Sequence, residues 1–287
     1  MASNQFSNGV ALVTGAASGI GKETAHIFAE SGCLGVVFAD LNLSGAQEAA
    51  DESKQYARNS KYQALAVEVD ISANGDVQRM VDAVVERFGR IDYLVNAAGI
   101  GGLSVLPTSE LNLGHFDRLI DVNLKGAVYC IRAVAQVMLK QEPRTYTSST
   151  PRSKAENRSP RALGRGSIVN VGSAFSFMAK PGSMGYISSK HGLIGVTKAA
   201  ALDHGKDGIR VNAICPGPID TPLLRRVLDE NPVLVKVIQK GVPLGGRIGT
   251  VEEVGETIVF LCSSGASYVT GTSLLVDAGA TLTSAKM

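Results

Sequence analysis

Seven short apolar runs recur along the 287-residue chain, and stretches with helical periodicity separate them. Each run holds four to seven residues, is rich in β-branched side chains, and is apolar enough to be buried on both sides. Strands that alternate with helices in this way are typical of βα units, whose parallel sheet is covered by helices on both faces. We therefore predict an α/β fold with a doubly wound parallel sheet flanked by helices. The predicted strands cover residues 10–14, 34–40, 64–70, 91–96, 167–171, 209–215 and 273–276.

Two of the helical stretches carry signals for where they begin and end. Residues 46–57 follow Ser44, whose hydroxyl can cap a helix N-terminus. Residues 73–88 lie between Ser72 and Gly89, a capping residue and a terminating one. Hydrophobic residues make up 45% of the chain, and a chain of this size can bury one large core. We therefore expect one domain.

One segment, residues 141–165, interrupts the alternation inside the single domain that we predict for residues 1–287. It holds three Pro, seven Ser or Thr, and six Lys or Arg against two Glu, and it has no apolar period. This composition favours a flexible, basic surface loop, an insert and not a domain of its own. Its charge leaves two interpretations open, a solvated loop or a docking site for an acidic partner. The basic residues are Arg144, Arg152, Lys154, Arg158, Arg161 and Arg165.

Charge and motif content exclude several function classes. A net charge of +2 with 19% charged residues gives no field suited to nucleic acid or to an acidic membrane surface. No run approaches the roughly 18 apolar residues of a membrane span, and the first residues lack the Lys or Arg of a secretory signal. The four Cys form no CxxC pair and the four His no cluster, so we predict neither a metal site nor a disulfide framework. A Gly-x-Ser-x-Gly hydrolase motif is also absent.

Cysteine usage and the chain end bear on location. Unpaired cysteines fit a reducing compartment, and we expect a cytoplasmic protein. The last residues, Ala285, Lys286 and Met287, loosely resemble the Ser-Lys-Leu peroxisomal address, so a peroxisomal location is the alternative. A three-residue match of this kind arises easily by chance.

The first predicted strand runs directly into a glycine-rich turn that precedes a helical stretch. Glycines let the backbone turn tightly and approach a pyrophosphate, while the following helix N-terminus presents unpaired N–H groups and the positive end of its dipole. An ordinary strand-to-helix connection would look the same, so the turn predicts a dinucleotide site only within the βα pattern. The candidate residues are Gly15, Ser18, Gly19, Ile20 and Gly21.

Asp40 ends the second predicted strand, where a dinucleotide fold places an acid against the adenosine ribose hydroxyls. Its carboxylate would repel the 2′-phosphate of NADP, and neither Leu41 nor Ser18 supplies a basic group there. Asp40 therefore favours NAD as the cofactor. Lys22 could weaken the repulsion, and a simple cap or turn role for Asp40 is the alternative.

Tyr186 is followed four residues later by Lys190, a spacing that places both side chains on one face of a helix. A phenol titrates at about pH 10, and a neighbouring ammonium would lower its pKa and make it a better acid or base. Ser173 follows the predicted strand 167–171, at the sheet edge where ligands bind, so its hydroxyl could orient a substrate oxygen. A surface helix pair and a turn-forming serine are the simpler alternatives.

Six motifs occur in one order along residues 10–279, and together they are far more specific than any one of them. In this combination the chain resembles the short-chain dehydrogenase/reductases, with the insert at 141–165 as the main departure. The resemblance implies a single Rossmann-type domain of about seven parallel strands, NAD(H)-dependent hydride transfer with a secondary alcohol or ketone, and a homo-oligomer, usually a tetramer. The motifs are Thr14-Gly-x-x-x-Gly-Ile-Gly21, Asn96-Ala97-Ala98-Gly99, Asn123 in Asp-Val-Asn-Leu-Lys, Ser173, Tyr186-x-x-x-Lys190 and Pro216-Gly217.

The resemblance also implies a role for each matching residue. Tyr186 would exchange the proton, Lys190 would bind the nicotinamide ribose and lower the tyrosine pKa, and Ser173 would hold the substrate oxygen. Asn123 would support a water-linked proton relay. The other cofactor contacts that the resemblance implies are Asp70, Ile71, Asn96, Ala97, Gly99, Pro216, Gly217, Ile219 and Thr221.

The segments expected to flank the nicotinamide are apolar, and we expect no Lys or Arg to project from them to bind a carboxylate or phosphate. We therefore predict a medium-sized, apolar or cyclic secondary alcohol or ketone as substrate, beneath a mobile lid at residues 223–240. The alternatives are an NADPH-dependent ketone reductase and a non-catalytic NAD(H)-sensing protein that presents the insert to a partner. The apolar residues are Leu103, Val105, Leu106, Phe175, Phe177, Met178 and Met184.

Overall fold

The computed structural model describes residues 6, 8–101, 106–148, 150–230 and 232–283. The C-terminal tripeptide at 285–287, which resembles a peroxisomal address, lies outside this set. The strands are β1 (Val10–Thr14), β2 (Gly35–Asp40), β3 (Gln63–Glu68), β4 (Tyr93–Asn96), β5 (Arg144–Tyr146), β6 (Arg161–Gly164), β7 (Gly166–Val171), β8 (Ile209–Pro216) and β9 (Ser273–Val276). The helices are α1 (Gly19–Glu30), α2 (Leu43–Ser53), α3 (Asn74–Phe88), α4 (Leu113–Ile120), α5 (Ala127–Met138), α6 (Pro151–Ala155), α7 (Met184–Gly205), α8 (Pro222–Glu230), α9 (Val233–Gly241) and α10 (Val251–Cys262).

Seven of these strands form one sheet in the order β3-β2-β1-β4-β7-β8-β9, and every neighbouring pair is parallel. The predicted doubly wound α/β fold is therefore confirmed, and each predicted strand is present within two residues of its expected bounds. The expected burial on both sides is wrong for the edge strands β3 and β9, because an edge strand lies at the margin of the helix layers. In β9, Leu274 and Leu275 are 37% and 36% exposed.

The strand order reverses between β1 and β4. The chain runs outward from β1 through β2 to β3 and then returns to β4, on the other side of β1. Loops that leave the carboxyl ends of β1 and β4 therefore part in opposite directions and open a crevice, the usual ligand site of open α/β sheets. The glycine-rich turn after β1 and the turn at residues 96–99 after β4 border this crevice.

Two apolar clusters, one on each face of the sheet, form the core. On one face, Phe28 of α1 and Ile258 of α10 pack with Phe38 of β2. On the other face, Met80 of α3 and Met138 of α5 belong to a second cluster, and all five of these side chains are fully buried. Side chains alternate between the faces of a strand, so a strand that is apolar throughout needs a helix layer on each side. Among the helices in the described ranges, none is long and apolar enough to cross a membrane.

Local signals place the helix ends, but neither predicted N-cap holds that position. In α3 the N-cap is Ala73, one residue after the predicted Ser72. Asn42 Oδ1 accepts a hydrogen bond from Gly45 N at 3.1 Å, so Asn42 holds the capping position of α2. Ser44, the predicted cap, lies inside the first turn. α3 ends at Gly89 as predicted, because the left-handed φ of 73° stops the helix and the Gly89 N–H donates to Val85 O at 2.8 Å.

The basic segment at 141–165 has regular structure where we predicted an irregular loop. β5 and β6 pair as antiparallel strands, and the short helix α6 lies between them. These strands have three and four residues, too few for an apolar period to show in the sequence. Two of its six basic residues, Arg152 and Arg158, pair with Glu156 at 2.8 and 2.6 Å.

Three other arginines attach this hairpin to the end of the sheet at which β4 and β8 begin. We call residues 144–165 the clasp. Because these cations already bond to the body of the protein, the clasp has fewer charges to offer an acidic partner than the sequence suggested. The bonds join Arg144 to the Tyr93 hydroxyl, Arg161 Nη2 to Ser264 O at 2.6 Å, and Arg165 Nη1 to Asp207 O at 3.0 Å.

Gly21→Ala should destabilise the fold, because the added Cβ would overlap the carbonyl oxygen of Gly15 in the turn before α1. The two backbone groups cannot separate without moving α1 away from β1, so we expect a loss of about 2–4 kcal/mol in the free energy of unfolding. Urea unfolding followed by circular dichroism measures this loss.

The matched control is Gly75→Ala in α3, where the atom nearest to the added Cβ belongs to the flexible side chain of Arg79, at 3.7 Å. Because this position is exposed and helical, Gly75→Ala should raise the free energy of unfolding by about 1 kcal/mol or less. Equal stability of the Gly21 and Gly75 variants would contradict the close packing of α1 on the turn.

Candidate active site

The glycine-rich turn between β1 and α1 packs against the turn that follows β4. Gly15 has a left-handed φ of 71°, and a Cβ at this position would lie 2.7 Å from Ala98 Cα. Gly19 has a φ of 56° and lies beside Thr221, whose Cγ2 would be 3.6 Å from an added Cβ. Three of the predicted cofactor-binding stretches therefore meet at the carboxyl edge of the sheet.

The N-terminus of α1 keeps donors that the helix itself does not use. Ser18 holds the N-cap position, but its side chain makes no capping hydrogen bond. The first main-chain bond of the helix runs from Lys22 N to Ser18 O at 3.2 Å, so the N–H groups of Gly19, Ile20 and Gly21 precede the helical ladder. The first turn, which is fully described, holds no acidic side chain. This helix end therefore suits a pyrophosphate.

The backbone fixes the carboxylate of Asp40 at the end of β2. Its Oδ2 accepts from Ala17 N at 3.0 Å, and its Oδ1 accepts from Asn42 N at 2.9 Å. The first bond ties the carboxylate to the glycine-rich turn and places it at the border of the crevice. The second bond makes Asp40 a turn residue as well, which was the alternative interpretation of this position.

Asp70 and Ile71 follow β3, at the same edge of the sheet. Asp70 Oδ1 accepts from both N and Oγ of Ser72, at 2.9 and 2.6 Å. Ile71 is buried next to Gly126, where an added Cβ would lie 2.8 Å from Ile71 Cδ1. Both residues are thus held in place by their surroundings, Asp70 by a turn and Ile71 by packing.

A chain of buried amides and hydroxyls links the sheet to α7. Asn96 Nδ2 donates to Asn170 Oδ1 at 2.9 Å, and Asn170 Nδ2 donates to Thr197 Oγ1 at 2.9 Å. Thr197 Oγ1 donates in turn to Leu193 O at 2.8 Å. Our sequence analysis missed Asn170 and Thr197. Their signals were present, since Asn170 is an amide inside an apolar strand and Thr197 comes seven positions after Lys190, on the same helix face.

Tyr186 and Lys190 lie one turn apart on one face of α7, as their spacing predicted. Lys190 is buried, and its Nζ donates to Val171 O at 2.8 Å. The same ammonium lies 5.8 Å from the centre of the Tyr186 ring. Lys190 therefore fastens α7 to the end of β7, two residues before Ser173.

The pKa shifts of this pair differ from our expectation. Burial raises the pKa of Tyr186, and a hydrogen bond with Ser173 opposes the rise. Burial also lowers the pKa of Lys190, to about 8. The structure does not show the expected lowering of the tyrosine pKa by Lys190, because desolvation dominates at both groups and the ammonium donates to Val171 O instead of to the phenol oxygen.

Ser173 is held by a capping box at the start of the one-turn helix Ala174–Ser176. Its Oγ accepts from Phe175 N at 3.1 Å, while Ser176 Oγ accepts from Ser173 N at 3.2 Å. A hydroxyl that accepts one bond from the backbone still has its own proton to donate. Ser173 is therefore a fixed donor beside Tyr186. The Ser-x-x-Ser spacing was a signal for Ser176 that our sequence analysis missed.

Asn123 lies in a π-helical turn, Asp121–Gly126, between α4 and α5. Its amide bonds twice to the backbone of Ile100, with Oδ1 accepting from N at 2.8 Å and Nδ2 donating to O at 2.9 Å. Nδ2 also donates to Ser189 Oγ at 3.3 Å. Such π turns occur frequently at functional sites. Here the turn aims Asn123 between the loop after β4 and α7, and its role in a proton relay stays a prediction.

The loop after β8 carries the last predicted cofactor contacts. Pro216 ends the strand, and a Cβ on Gly217 would lie 2.8 Å from Asp277 Cα, so this close approach requires glycine. Ile219 is buried, and Thr221 Oγ1 accepts a main-chain N–H at 3.2 Å at the start of α8. The loop therefore has a defined course from the sheet to the predicted lid.

The predicted apolar wall is present in part. Phe175 meets Tyr186 edge to face, with ring centres 6.3 Å apart. The predicted lid at 223–240 spans α8 and most of α9. Its first residue, Leu223, lies against Gly101, where an added Cβ would be 2.8 Å away. The lid therefore begins beside the crevice. Of the remaining wall residues, Leu103 and Val105 lie outside the described residues, Leu106, Phe177 and Met184 are exposed, and Met178 is partly exposed.

The expectation that no cation projects beside this wall is wrong. Lys180 Nζ lies 5.3 Å from the centre of the Phe175 ring. The segment between the one-turn helix and α7 is irregular, so no periodic pattern in the sequence indicates where Lys180 points.

The cysteines are not reactive groups of this site. All four are buried free thiols. Burial raises the pKa of each, so they stay protonated at neutral pH and are poor nucleophiles. Among the described residues, no group of three or more His, Cys, Asp or Glu side chains could hold a metal ion.

Lys190→Met should raise stability at neutral pH and remove a pH dependence. The pKa of Lys190 is about 8 in the folded protein and 10.5 when the group is free, so between these values the unfolded chain binds a proton that the folded chain has released. The contribution of Lys190 to stability therefore rises with pH across this window, and the cost of burying its charge is greatest below it. We expect the variant to be about 1–3 kcal/mol more stable at pH 7, with the difference shrinking toward pH 10.

Urea unfolding at a series of pH values between 7 and 10 checks this. The control is Lys198→Met, which removes an exposed lysine from the same helix and should leave the pH dependence unchanged. If the difference in the free energy of unfolding between Lys190→Met and wild type stays constant over the pH series, Lys190 is not desolvated as described.

Comparison with known proteins agrees with this geometry over nearly the whole chain. A family model described as short chain dehydrogenase matches residues 9–144, and one described as Enoyl-(Acyl carrier protein) reductase matches residues 153–281. The chain is 42% identical to Short-chain dehydrogenase srdC of Neurospora crassa, covering 96% of this chain and 97% of that one. It is 37% identical to Cyclohexanol dehydrogenase of an Acinetobacter species, covering 96% of each.

The fold comparison points the same way. The solved structure of Levodione Reductase superimposes with a TM-score of 0.83 at 30% identity, over 96% of this chain and 99% of that one. The relatives are named dehydrogenases and a reductase, which indicates an oxidoreductase, and the matched family binds a nicotinamide cofactor. The resemblance that the ordered motifs suggested is confirmed, and the chain belongs to the short-chain dehydrogenase/reductase family.

Proposed function

We propose that the protein moves a hydride between NAD(H) and a secondary alcohol or ketone, with Tyr186 as the acid/base. The convergence of three side chains carries this proposal. Ser173 interacts with Tyr186 and opposes the rise of its pKa, and the ammonium of Lys190 lies 5.8 Å from the tyrosine ring. All three sit at the carboxyl edge of the sheet, beside the crevice where this fold binds ligands.

Tyr186 and Ser173 would have different roles at the substrate oxygen. The Tyr186 phenol gives a proton to that oxygen during reduction and takes one during oxidation, while the Ser173 hydroxyl donates a hydrogen bond that holds it in place. NAD(H), when bound, supplies or accepts the hydride. Lys190, mostly charged at neutral pH because its pKa is about 8, would hold the nicotinamide ribose. Asn123 would complete a proton path to solvent.

The residues around the crevice fit a dinucleotide. The N-terminus of α1 has N–H donors outside its helical ladder and no acidic residue in its first turn, which suits the pyrophosphate. At Gly15 and Gly217 the backbone passes so close to neighbouring backbone that any side chain would clash, so the loops bordering the crevice can take this course only with glycine there. The residues that would hold the cofactor are Gly15, Ser18, Gly19, Ile20, Gly21, Asp40, Asp70, Ile71, Asn96, Ala97, Gly99, Tyr186, Lys190, Pro216, Gly217, Ile219 and Thr221.

The position of Asp40 supports NAD over NADP. Its carboxylate is held at the crevice border by two backbone bonds, so it cannot swing away from a 2′-phosphate. The nearby Lys22, which could have attracted that phosphate, is paired with Glu52 at 2.6 Å. A phosphate at this position would therefore meet a fixed negative charge with no free cation from Lys22.

Apolar side chains around Tyr186 support a medium-sized cyclic alcohol or ketone. Phe175 packs on the tyrosine ring, and Leu223 of the lid lies near the loop after β4. The likeness to a cyclohexanol dehydrogenase favours a ring substrate. The rival hypothesis of a non-catalytic NAD(H) sensor is weakened, since the clasp that would meet its partner bonds with three arginines to its own protein.

Exposed apolar surface supports a homo-oligomer, which for this family we propose to be a tetramer. Phe260 on α10 is 49% exposed, and Leu274 and Leu275 lie partly exposed on the edge strand β9. An apolar helix face beside an open sheet edge is the kind of surface that a second copy of a chain covers.

Tyr186→Phe should abolish turnover and leave cofactor binding intact, because it removes only the titratable hydroxyl. We expect kcat for cyclohexanol oxidation with NAD to fall by about 100-fold to 10,000-fold, while NADH affinity measured by fluorescence titration changes by less than about threefold. Tyr268→Phe, at a fully exposed tyrosine, is the control and should keep wild-type activity. Substantial activity in Tyr186→Phe would disprove the assigned role.

Asp40→Asn should weaken the preference for NAD, because it keeps the shape of the side chain and removes its charge. We expect wild-type kcat/KM to favour NAD over NADP by about tenfold or more, and the variant to lose about tenfold of that preference. Asp82→Asn removes an equal charge from an exposed position of α3 and should leave the ratio unchanged. Equal or better use of NADP by the wild type would establish the NADPH-dependent ketone reductase instead.

A further inference from the structure

Lys180 lies between two residues of the candidate active site, in the segment that joins Ser173 to Tyr186. Its Nζ is 5.3 Å from the centre of the Phe175 ring. The same ring meets Tyr186 edge to face, with centres 6.3 Å apart. One aromatic side chain therefore separates a positive charge from the group that would exchange the substrate proton.

The charge of Lys180 lacks an acidic partner within the described part of the chain. Other lysines near acidic groups form close pairs, as Lys22 does with Glu52 and Lys125 with Asp121. Lys180 forms no such pair with any described residue, and although its side chain is exposed overall, partial desolvation at the ring lowers its pKa. The contact with the Phe175 face stabilises this exposed ammonium only weakly, and an anionic ligand would add a stronger attraction.

We propose that Lys180 determines substrate specificity by binding a carboxylate on the ring of the substrate, at the end remote from the reacting carbon. The proposal rests on the proposed function and extends it. The reacting oxygen lies at Ser173 and Tyr186, the apolar ring packs along Phe175, and the carboxylate meets the ammonium beyond that ring. A ring hydroxy acid, with its carboxylate and hydroxyl at opposite ends of the ring on carbons 1 and 4, has its polar groups in this order.

A single lysine beside an aromatic face fits a carboxylate better than a phosphate. Phosphate sites usually collect several donors, often the paired N–H groups of arginine, whereas one ammonium is a point charge that matches a single negative group. The adjacent Phe175 ring offers the apolar contact that the ring of a hydroxy acid needs and a free phosphate does not. The structure therefore assigns Lys180 to an organic acid.

Turnover of matched substrates tests the charge. cis-4-Hydroxycyclohexanecarboxylate and its methyl ester differ in the negative charge and share the reacting alcohol. We expect wild-type kcat/KM to favour the acid by about tenfold or more, mainly through KM, and Lys180→Ala to remove that preference with little change for the ester. Lys180→Arg should restore part of the preference, and Lys198→Ala, at an exposed lysine of α7, should leave it intact.

A purely structural role for Lys180, bracing the loop through Phe175, would predict another result. Both substrates would then lose activity in Lys180→Ala to the same degree, and their ratio would stay at the wild-type value. That outcome, or a wild type that prefers the ester, overturns the proposal.

Binding of ligands that cannot react separates this proposal from the proposed function. Calorimetry with NAD present compares cyclohexanecarboxylate with the neutral cyclohexanecarboxamide, neither of which carries the reacting hydroxyl. We expect the acid to bind wild type about tenfold more tightly than the amide, and the two to bind Lys180→Ala alike. Tight acid binding without turnover of any alcohol would refute the proposed function alone, and equal binding of acid and amide to wild type would refute the role of Lys180.

Discussion

Parallel pairing at the centre of the sheet is the constraint on which the rest of the structure depends. The register sets Thr14 of β1 beside Asn96 of β4, and Asn96 beside Asn170 of β7. These polar side chains are buried, so each must find a partner, and a slip of one residue would turn all of them to the wrong face. The same register aligns the carboxyl ends of β1, β4 and β7, whose loops border the crevice.

The helix α7, which carries the proposed acid/base Tyr186, is attached to this sheet by polar groups as well as by packing. Thr197 accepts from Asn170, and Lys190 donates to the carbonyl of Val171 at the end of β7. The second attachment is unfavourable for a charged group, since burial lowers the pKa of Lys190 to about 8. The site therefore keeps a cation where folding alone would favour an apolar side chain, a feature typical of functional positions.

Patterns in the sequence predict an element well when short-range physics determines it. Apolar runs predicted all seven strands of the sheet, and Gly89 predicted the end of α3, because burial and backbone conformation are local properties. The start of α2 was wrong, since Asn42 and Ser44 are both good caps and only the fold selects between them. Ordered motifs predicted roles for Ser173 and Tyr186, whereas the contact of Lys180 with Phe175 depends on the course of an irregular segment, which the sequence does not indicate.

The clasp has a consequence for the order in which the molecule assembles. Its bond from Arg161 to Ser264 joins positions 103 residues apart, and the partners of Arg144 and Arg165 lie at or just before the starts of β4 and β8, which meet only when the sheet forms. Contacts of such long range form late and contribute little to the rate-limiting nucleus. They act on the reverse process, because they must break before the amino edge of the sheet can open. We therefore expect the clasp to slow unfolding more than it speeds folding.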